Sequence, residues 1–278
     1  MKNSHPIALT IAGSDSGAGA GVQADLKTFA AFGVYGISTL TAITSQNTLG
    51  VQEVLELPTQ IIRTQLDALT TDFNINAIKI GMLSSTPIIE AVVSKIKEHK
   101  LKNLIIDPVM VAKGGDHLLR QDAVNSLSTS LLPLALVVTP NAHEAEVLTR
   151  RKITNLDDAR YAARAIHDLG ARNVVIKGGH FGENATDLLF DGADFSQFTS
   201  PRVITKSTHG TGCTLSSAIA SGIALEKSVY DSVSIAKSYV YNAILNAVPI
   251  GHGHGPLNHF YHHKNQNVKI AHKASTIG

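Results

Sequence analysis

Short runs of β-branched and other apolar residues alternate along this chain with longer segments whose apolar residues recur at helical spacing. The short runs are 7–11, 77–80, 104–106, 136–138 and 174–176. The longer segments, with apolar residues at i, i+3 and i+4, are 22–32, 60–73, 87–99, 142–148 and 156–169. This alternation predicts βαβ units, and therefore a mostly parallel sheet with helices on both faces.

Two further patterns complete the predicted elements. Residues 187–190 and 195–198, separated by Asp191-Gly192, favour an antiparallel hairpin at the edge of the sheet. Two helices are predicted over about 213–224 and 228–248. The sequence shows no internal repeat, no Pro/Ser-rich linker and no break in composition. We therefore expect one domain over residues 1–263, and a C-terminal tail over 264–278 that is a candidate for disorder.

Composition narrows the class of partner. A net charge of +2, from 24 basic and 22 acidic residues, gives no electrostatic footprint for a nucleic acid or a membrane surface. Residues 1–11 lack the features of a signal peptide, and no apolar stretch has membrane-spanning length. Cys213 is the only cysteine, so no intrachain disulfide can form. These features favour a cytoplasmic protein.

Ligands of open parallel sheets bind beyond the carboxyl ends of the strands. The unusual residues of this chain follow the predicted strands at 13–19, 81–82, 107–108, 139–141 and 177–180. We expect one pocket to collect these loops. The loop from Gly13 to Gly21 has neither Walker A nor dinucleotide-fingerprint spacing, and is better interpreted as a substrate loop.

The segment His209-Gly210-Thr211-Gly212-Cys213-Thr214 opens a predicted helix. Backbone N–H groups at the start of a helix carry partial positive charge, and glycines allow a phosphate to approach closely. The segment therefore favours an anion hole. An ordinary glycine-rich start of a helix with an inert buried cysteine is the alternative, and only the companion motifs decide between them.

Three charged residues each allow two interpretations. Glu144, three residues after Asn141, is either part of a capping box or, with Asp107, a ligand of hydrated Mg²⁺. Lys177, at a strand end, either neutralises a leaving phosphate or is a surface lysine. Asp25, in the first turn of a helix, either accepts from a ligand or complements the helix dipole.

Thirteen histidines raise the question of a metal site. Five of them, His252, His254, His259, His262 and His263, lie near the C-terminus in a segment broken by Gly and Pro. This spacing places no pair clearly on one helix face, and no second cysteine is available. A solvated or partly ordered tail is favoured over a structural zinc site.

Taken together, the motifs from about residue 7 to about residue 260 resemble the hydroxymethylpyrimidine/phosphomethylpyrimidine kinases of thiamine biosynthesis. The matching stretches are 8–17, 21–28, 44–48, 79–83, 107–110, 139–141, 177–180 and 208–214. The resemblance implies a ribokinase-like three-layer α/β/α sandwich whose single kinase domain spans residues 1–263. Ala18 departs from it, since family members often have glycine there.

The resemblance also implies roles for individual residues. The substrate pyrimidine is expected among Gly13, Asp25, Gln46, Met82 and Val109, with Asp25 and Gln46 contacting its polar edge. ATP is expected at Thr139, Asn141, Lys177 and Thr208, with Mg²⁺ near Asp107 and Glu144. The catalytic set is expected to be Cys213, Lys177, Gly210 and Gly212. Many sugar kinases of the superfamily carry aspartate where this chain has Cys213.

The activity implied is ATP-dependent phosphorylation of 4-amino-5-hydroxymethyl-2-methylpyrimidine, and then of its monophosphate to the diphosphate. A homodimer is the family expectation. Two alternatives stay open: a pyridoxal or pyridoxine kinase of the same fold, and a nucleotide-binding regulator without turnover. A substrate panel separates the first alternative, and an assay of ADP release separates the second.

Overall fold

The computed structural model describes residues 5–111, 119–120, 122–178 and 184–262. Its strands are β1 (Ile7–Asp15), β2 (Tyr35–Asn47), β3 (Gly50–Glu56), β4 (Ala77–Ile80), β5 (Leu104–Ile106), β6 (Ala135–Val138), β7 (Asn173–Ile176), β8 (Ala185–Phe190) and β9 (Phe195–Ser200). Its helices are α1 (Gly21–Ala31), α2 (Thr59–Asp72), α3 (Thr86–Glu98), α4 (Ala123–Ser126), α5 (Ala142–Thr149), α6 (Leu156–Asp168), α7 (Thr211–Ala224) and α8 (Val229–Leu245). After α4 the chain continues through a π turn (Leu127–Leu131) and a 3₁₀ turn (Leu132–Leu134).

The strands form one sheet in the order β3-β2-β1-β4-β5-β6-β7-β8-β9. The neighbours from β2 to β7 pair in parallel, whereas β3, β8 and β9 pair antiparallel with their neighbours. The prediction of a mostly parallel sheet is confirmed, and so is the edge hairpin. At its tip, Asp191 Oδ1 accepts from Ala193 N and Asp194 N, which closes the turn.

Strands β2 and β3 were not predicted. In β2, threonine and serine are interspersed with apolar residues, and in β3 most side chains are exposed. The pairing of β3 with β2, rather than apolar burial, keeps it in the sheet. Helix α7 also begins earlier than predicted, at Thr211 and not near Cys213.

Helices cover both faces of the sheet, as predicted. On one face, apolar residues of α2, α3, α5 and α6 pack against alternate strand residues such as Leu104 and Ile106. On the other, α1, α7 and α8 pack against the intervening residues, including Ile105. The alternation along β5 follows from the two-residue period of a strand. The result is a three-layer α/β/α sandwich.

In the part of the chain that the structure describes, no helix has both the length and the apolar character needed to cross a bilayer. The expected boundary between domain and tail, at residues 263 and 264, lies outside the described residues.

Candidate active site

Helix α7 begins in a turn that requires glycine. Gly210 precedes the helix at φ +82°, and a Cβ there would collide with the carbonyl oxygen of Gly19. The first helical hydrogen bond runs from Thr214 N to Gly210 O at 2.9 Å. The N–H groups of Gly212 and Cys213 therefore precede the hydrogen-bond ladder, at the positive end of the helix dipole. This is an anion-binding geometry. The individual roles of Gly210 and Gly212 stay predictions.

A buried charged cluster borders this turn. Lys177 Nζ donates to Asp107 Oδ1 at 2.6 Å and lies 3.7 Å from Glu144 Oε2. Thr139 Oγ1 donates to the same Asp107 oxygen at 3.3 Å. A Cβ added to Gly212 would lie 3.2 Å from Lys177 Nζ and 3.3 Å from Asp107 Oδ2. Three strand ends and the start of α7 therefore meet here.

The charge of Lys177 is held in place by its neighbours. Burial acts to lower the pKa of Lys177, but the carboxylates of Asp107 and Glu144 outweigh burial and raise it above its ordinary value. The ammonium group therefore stays charged at neutral pH. The interpretation of Lys177 as a surface lysine is wrong, because its side chain is only 15% exposed.

The capping box predicted at the start of α5 is present. Glu144 N donates to Asn141 Oδ1 at 2.9 Å, and Asn141 N donates to Glu144 Oε2 at 2.7 Å. Burial raises the pKa of Glu144 to about 7, with Lys177 opposing the rise and Asp107 adding to it. Glu144 is thus a cap, and at the same time a carboxyl group that titrates near neutrality.

The donor set also fits hydrated Mg²⁺, which proteins bind through one or two carboxylates while water and phosphate complete the octahedron. Lys177 and Thr139 both donate hydrogen bonds to Asp107 Oδ1. Oδ2 is the Asp107 oxygen nearer to Gly212, at the start of α7. Glu144 Oε2 is already committed to the cap.

The glycine loop is organised by Asp15. Its Oδ1 accepts from Gly17 N at 2.8 Å, and its Oδ2 accepts from Ala20 N at 2.8 Å and from Gly19 N at 3.1 Å. His209 Nε2 lies 2.8 Å from the same Oδ2. Burial acts to raise the pKa of Asp15, but hydrogen bonds from His209 and Ala20 outweigh burial and lower it. The loop therefore wraps an ionised carboxylate.

Of the residues expected to contact the pyrimidine, Gly13 and Met82 lie side by side. A Cβ on Gly13 would lie 2.8 Å from Met82 Cε, so a larger residue there would displace the end of the Met82 side chain. Met82 is buried, whereas Gln46 and Val109 are partly exposed. The Gln46 side chain lies against His209, at 3.3 Å. Their contacts with a ligand stay predictions.

Asp25 lies behind the surface that the other residues form. It has no exposed area, and Lys79 Nζ and Thr10 Oγ1 donate to its Oδ2 at 2.8 and 2.6 Å. Ser217 Oγ donates to Oδ1 at 2.7 Å. These donors tie α1 to β1, β4 and α7. The structure therefore places Asp25 as an internal anchor, and its expected contact with the polar edge of a ligand stays a prediction.

Cys213 lies in the first turn of α7 and is partly exposed. Burial raises the pKa of its thiol to about 11, although the Lys79 ammonium acts to lower it and Asp25 adds to the rise. In the free protein Cys213 is therefore a neutral thiol at pH 7. The neutral state does not decide its predicted catalytic role, which stays a prediction. It does mean that Cys213 offers no thiolate base in the free protein.

Thr208 precedes the start of α7. Its carbonyl oxygen accepts from Thr211 Oγ1 at 2.7 Å, which fixes the approach to α7. Just before it in sequence, residues 205–207 line a cleft of about 300 Å³ together with residues 249–253 and Gly255. Two of these lining residues are close neighbours, since a Cβ added to Gly255 would lie 3.0 Å from Ser207 Oγ. The cleft therefore adjoins the start of α7.

Part of the C-terminal histidine segment packs against the rest of the protein, as the partly ordered alternative predicts. His254 N donates to Thr48 O at 2.8 Å, and His209 N donates to Gly255 O at 3.0 Å. The segment thus links the tip of the β2–β3 hairpin with the start of α7. His252, His254 and His262 are exposed, in agreement with the prediction, and His263 lies outside the described residues.

His259 is the exception among these histidines, with 3% exposure. Its Nε2 lies 3.0 Å from Thr214 Oγ1, and its carbonyl oxygen accepts from Tyr239 OH at 2.7 Å. Burial lowers the pKa of His259 to about 4, and the charge of Lys27 adds to this. It is a neutral packing residue.

Within the described ranges, one group of three potential metal ligands was found, formed by Asp67, Glu98 and His99 on the surface. Lys95 Nζ lies 2.7 Å from Asp67 Oδ1 and 2.9 Å from Glu98 Oε2. Lys95 thus already pairs with both carboxylates of this group, which lies outside the active-site loops.

Sequence reasoning missed three residues of the site. Asp15 and His209 lie inside motifs that were recognised, but their 194-residue separation hides their pairing. Lys79 stands between Ile78 and Ile80 in a strand, where a charged residue amid apolar neighbours was the available signal.

Residues 15–258 match the family model described as phosphomethylpyrimidine kinase. The chain is 48% identical to the hydroxymethylpyrimidine/phosphomethylpyrimidine kinase of Bacillus subtilis over 93% of its length and 96% of that protein. It is 50% identical to the thiamine biosynthesis bifunctional protein of Geobacter sulfurreducens over 90% of its length, but spans 51% of that protein. A solved structure, the ADP complex of Bacillus subtilis pyridoxal kinase, superposes with a TM-score of 0.88 at 41% identity, covering 94% of this chain and all of that one. The expected ribokinase-like fold is confirmed.

Proposed function

Because this chain belongs to the phosphomethylpyrimidine kinase family, we propose that it transfers the γ-phosphoryl group of ATP to the hydroxymethyl oxygen of 4-amino-5-hydroxymethyl-2-methylpyrimidine. In a second turnover the monophosphate takes the place of the alcohol and becomes the diphosphate. The enzyme is a kinase of thiamine biosynthesis. The observation that supports this best is the meeting of the α7 first turn with Lys177 and Asp107.

In each step the acceptor oxygen forms a bond to the γ-phosphorus, and the bond from that phosphorus to the β-phosphate oxygen breaks. Such transfers depend mainly on positioning and on stabilising charge. The N–H groups of Gly212 and Cys213 donate to the transferring oxygens. The Lys177 ammonium stabilises the charge that develops on ADP, and Asp107 holds that ammonium.

Cys213 acts on the acceptor as a neutral group. Its raised pKa makes the sulfur a hydrogen-bond partner that orients the hydroxymethyl group. The hydroxyl proton leaves only after the bond to phosphorus has begun to form, and the transferred phosphoryl group can then accept it. A loose transition state permits this order. Bound Mg²⁺, held through Asp107 with Glu144 nearby, would supply charge neutralisation between the phosphates.

The nucleotide and the pyrimidine occupy opposite sides of the α7 start in this proposal. The phosphates lie near Thr139, Asn141 and Lys177, and the cleft beside Thr208 receives the nucleoside. Gly13, Gln46, Met82 and Val109 contact the pyrimidine ring. Asp25 contributes as an anchor behind them.

We include a homodimer and a cytoplasmic location in the proposal. The β3 edge of the sheet and the exposed side chains of Ile43, Leu49 and Leu55 support a second copy at this end of the molecule. Measuring the molecular mass by light scattering at decreasing protein concentration tests the homodimer. The single cysteine supports a reducing compartment.

The direct experiment is a coupled assay of ADP release on four acceptors: the pyrimidine alcohol, its monophosphate, pyridoxal and ribose. The proposal requires turnover with the first two and little with ribose. A pyridoxal kinase is the second candidate, supported by the superposition with the Bacillus subtilis enzyme, and it would favour pyridoxal over the alcohol. Nucleotide binding without ADP release from any acceptor would indicate a regulator.

A further inference from the structure

His209 is fixed as a hydrogen-bond donor. Its Nε2 lies 2.8 Å from Asp15 Oδ2, and Asp15 is ionised, so a proton must lie between them. A carboxylate has no proton to give, and therefore Nε2 carries it whether the ring is neutral or charged. His209 Nε2 cannot accept a hydrogen bond while this contact holds.

This assignment constrains Gln46, whose amide lies between His209 and Thr44. In the structure Gln46 Nε2 lies 3.3 Å from His209 Nε2, so that two donors face each other. Gln46 Oε1 lies 3.2 Å from Thr44 Oγ1. Thr44 Oγ1 also lies 2.9 Å from Ser14 O, a carbonyl that can only accept. The single hydroxyl proton of Thr44 goes to that carbonyl, which leaves two acceptors facing each other at Gln46.

A half-turn of the amide exchanges the oxygen and nitrogen of the glutamine side chain and removes both conflicts. The one Nε2 proton of His209 is then shared in a three-centre hydrogen bond between Asp15 Oδ2, at 2.8 Å, and the Gln46 oxygen, at the 3.3 Å position where Gln46 Nε2 now lies. We propose that Asp15 and His209, together with Thr44, lock Gln46 with its oxygen toward His209 and its nitrogen toward Thr44. His209 is then a specificity-determining positioning residue that acts on the ligand through Gln46.

The lock has a consequence for the ring that is bound, and here the inference rests on the proposed function. One N–H and one oxygen lone pair of Gln46 remain after the contacts with Thr44 and His209. They form a donor and an acceptor in a fixed order. An aminopyrimidine edge, with a ring nitrogen beside an exocyclic amine, requires that order. A pyridine ring without the amine, such as pyridoxal, gains less from it.

The test is calorimetric binding of the pyrimidine alcohol and of pyridoxal, without ATP, to the wild-type chain and to His209→Leu, His209→Gln and Thr44→Val. We expect His209→Leu and Thr44→Val each to weaken binding of the alcohol by about tenfold, the loss expected for one hydrogen bond. Pyridoxal binding should fall by much less, and in a separate turnover assay the KM for ATP should stay unchanged. His209→Gln, which retains a donor, should restore most of the affinity.

A double-mutant cycle decides whether His209 acts through Gln46. If it does, His209→Leu adds no further loss in a Gln46→Leu background. Multiplicative losses, or equal losses for both rings, would overturn the proposal. If His209→Leu does not fold, the same cycle is run with Thr44→Val in its place. Ser14 O, the other partner of Thr44, is a backbone atom and is still present in that variant.

Failure of the proposed function is distinguishable, because it would appear as absence of binding and turnover of the alcohol in the wild-type chain. The lock is then measured in the free protein from the side-chain amide resonances of Gln46, identified by their loss in Gln46→Leu. We expect them to shift in both His209→Leu and Thr44→Val. Unchanged resonances would contradict the lock.

Discussion

At the scale of single residues, Cys213 carries the sharpest expectation. Cys213→Ala removes the group that orients the acceptor, and we expect kcat to fall by roughly 10²-fold or more, with little change in the KM for ATP. Cys213→Ser, which keeps a polar group of similar size, is the matched variant. Near-normal turnover in Cys213→Ala would reduce the thiol to a packing role.

The state of this thiol is measurable without turnover. Because only the thiolate reacts and the pKa is raised to about 11, alkylation by iodoacetamide should be slow at pH 7 and rise about tenfold per pH unit up to pH 9. Bound pyrimidine should protect the Cys213 thiol from alkylation. The label has one site, since Cys213 is the only cysteine. A rate that levels off near pH 7 would show a thiolate and contradict the raised pKa.

Ala18 is a strained residue at the glycine loop. Its φ is +58°, a left-handed conformation that costs an L-residue roughly 1–2 kcal/mol and costs glycine little. Ala18→Gly should raise the free energy of unfolding by about 0.5–1 kcal/mol in urea titrations, since part of the gain is offset by chain entropy. Ala193→Gly is the control, because Ala193 is exposed in a turn and its φ is not positive. Ala193→Gly should give no increase in the free energy of unfolding. An increase equal to that of Ala18→Gly would show that backbone strain at Ala18 is not the cause.

At the scale of elements, the start of α5 separates capping from metal binding. Glu144→Gln keeps an acceptor for Asn141 N, so stability should change by less than about 1 kcal/mol. The Mg²⁺ concentration needed for half-maximal activity should rise. Asn155→Ala is the control, because it removes the α6 cap, where Asn155 accepts from Asp157 N and Asp158 N. It should cost about 1 kcal/mol of stability and leave activity unchanged. Wild-type turnover and Mg²⁺ dependence in Glu144→Gln would exclude the metal role.

The C-terminal segment predicts a pH-dependent stability. His259 has a pKa of about 4 when folded, below the ordinary value of 6.5, so the unfolded chain binds the proton first. Its stabilising contribution is therefore complete above pH 6.5 and is lost as the pH falls toward 4, by up to about 3 kcal/mol. His259→Gln should be less stable than wild type at pH 7, and the difference should shrink at pH 5. His252→Gln, at an exposed position, should follow the wild-type curve. Parallel curves for wild type and His259→Gln would show that His259 does not titrate in this way.

The elements also show how far sequence reasoning extends. The buried strands β1, β4, β5, β6 and β7 are mostly apolar runs, so their burial on both faces is visible in the sequence. β3 is held by pairing at an exposed edge, which no apolar pattern reveals. The burial of His259 depends on a contact with α7 across 45 residues. The spacing of histidines in a segment broken by Gly and Pro could not reveal this contact.

At the scale of the whole molecule, the site could be predicted where a motif carries its own chemistry. Lys177, Asp107 and the α7 glycines were named from the sequence, and the structure brings them together. Asp25 was assigned to the ligand by the family resemblance, and its partners Lys79 and Ser217, which come from β4 and α7, lay beyond the sequence. Pairings that only the fold creates, such as Asp15 with His209, lay beyond the sequence.

The central claim is that this chain transfers phosphoryl groups from ATP to one pyrimidine twice in succession. The most direct measurement follows a mixture of the chain, ATP, Mg²⁺ and the pyrimidine alcohol by ³¹P NMR. The account predicts a monophosphate ester that appears first and is replaced by a diphosphate, while two molecules of ADP form for each pyrimidine consumed. Formation of ADP without any phosphate ester, or a monophosphate that accumulates without conversion, would contradict it.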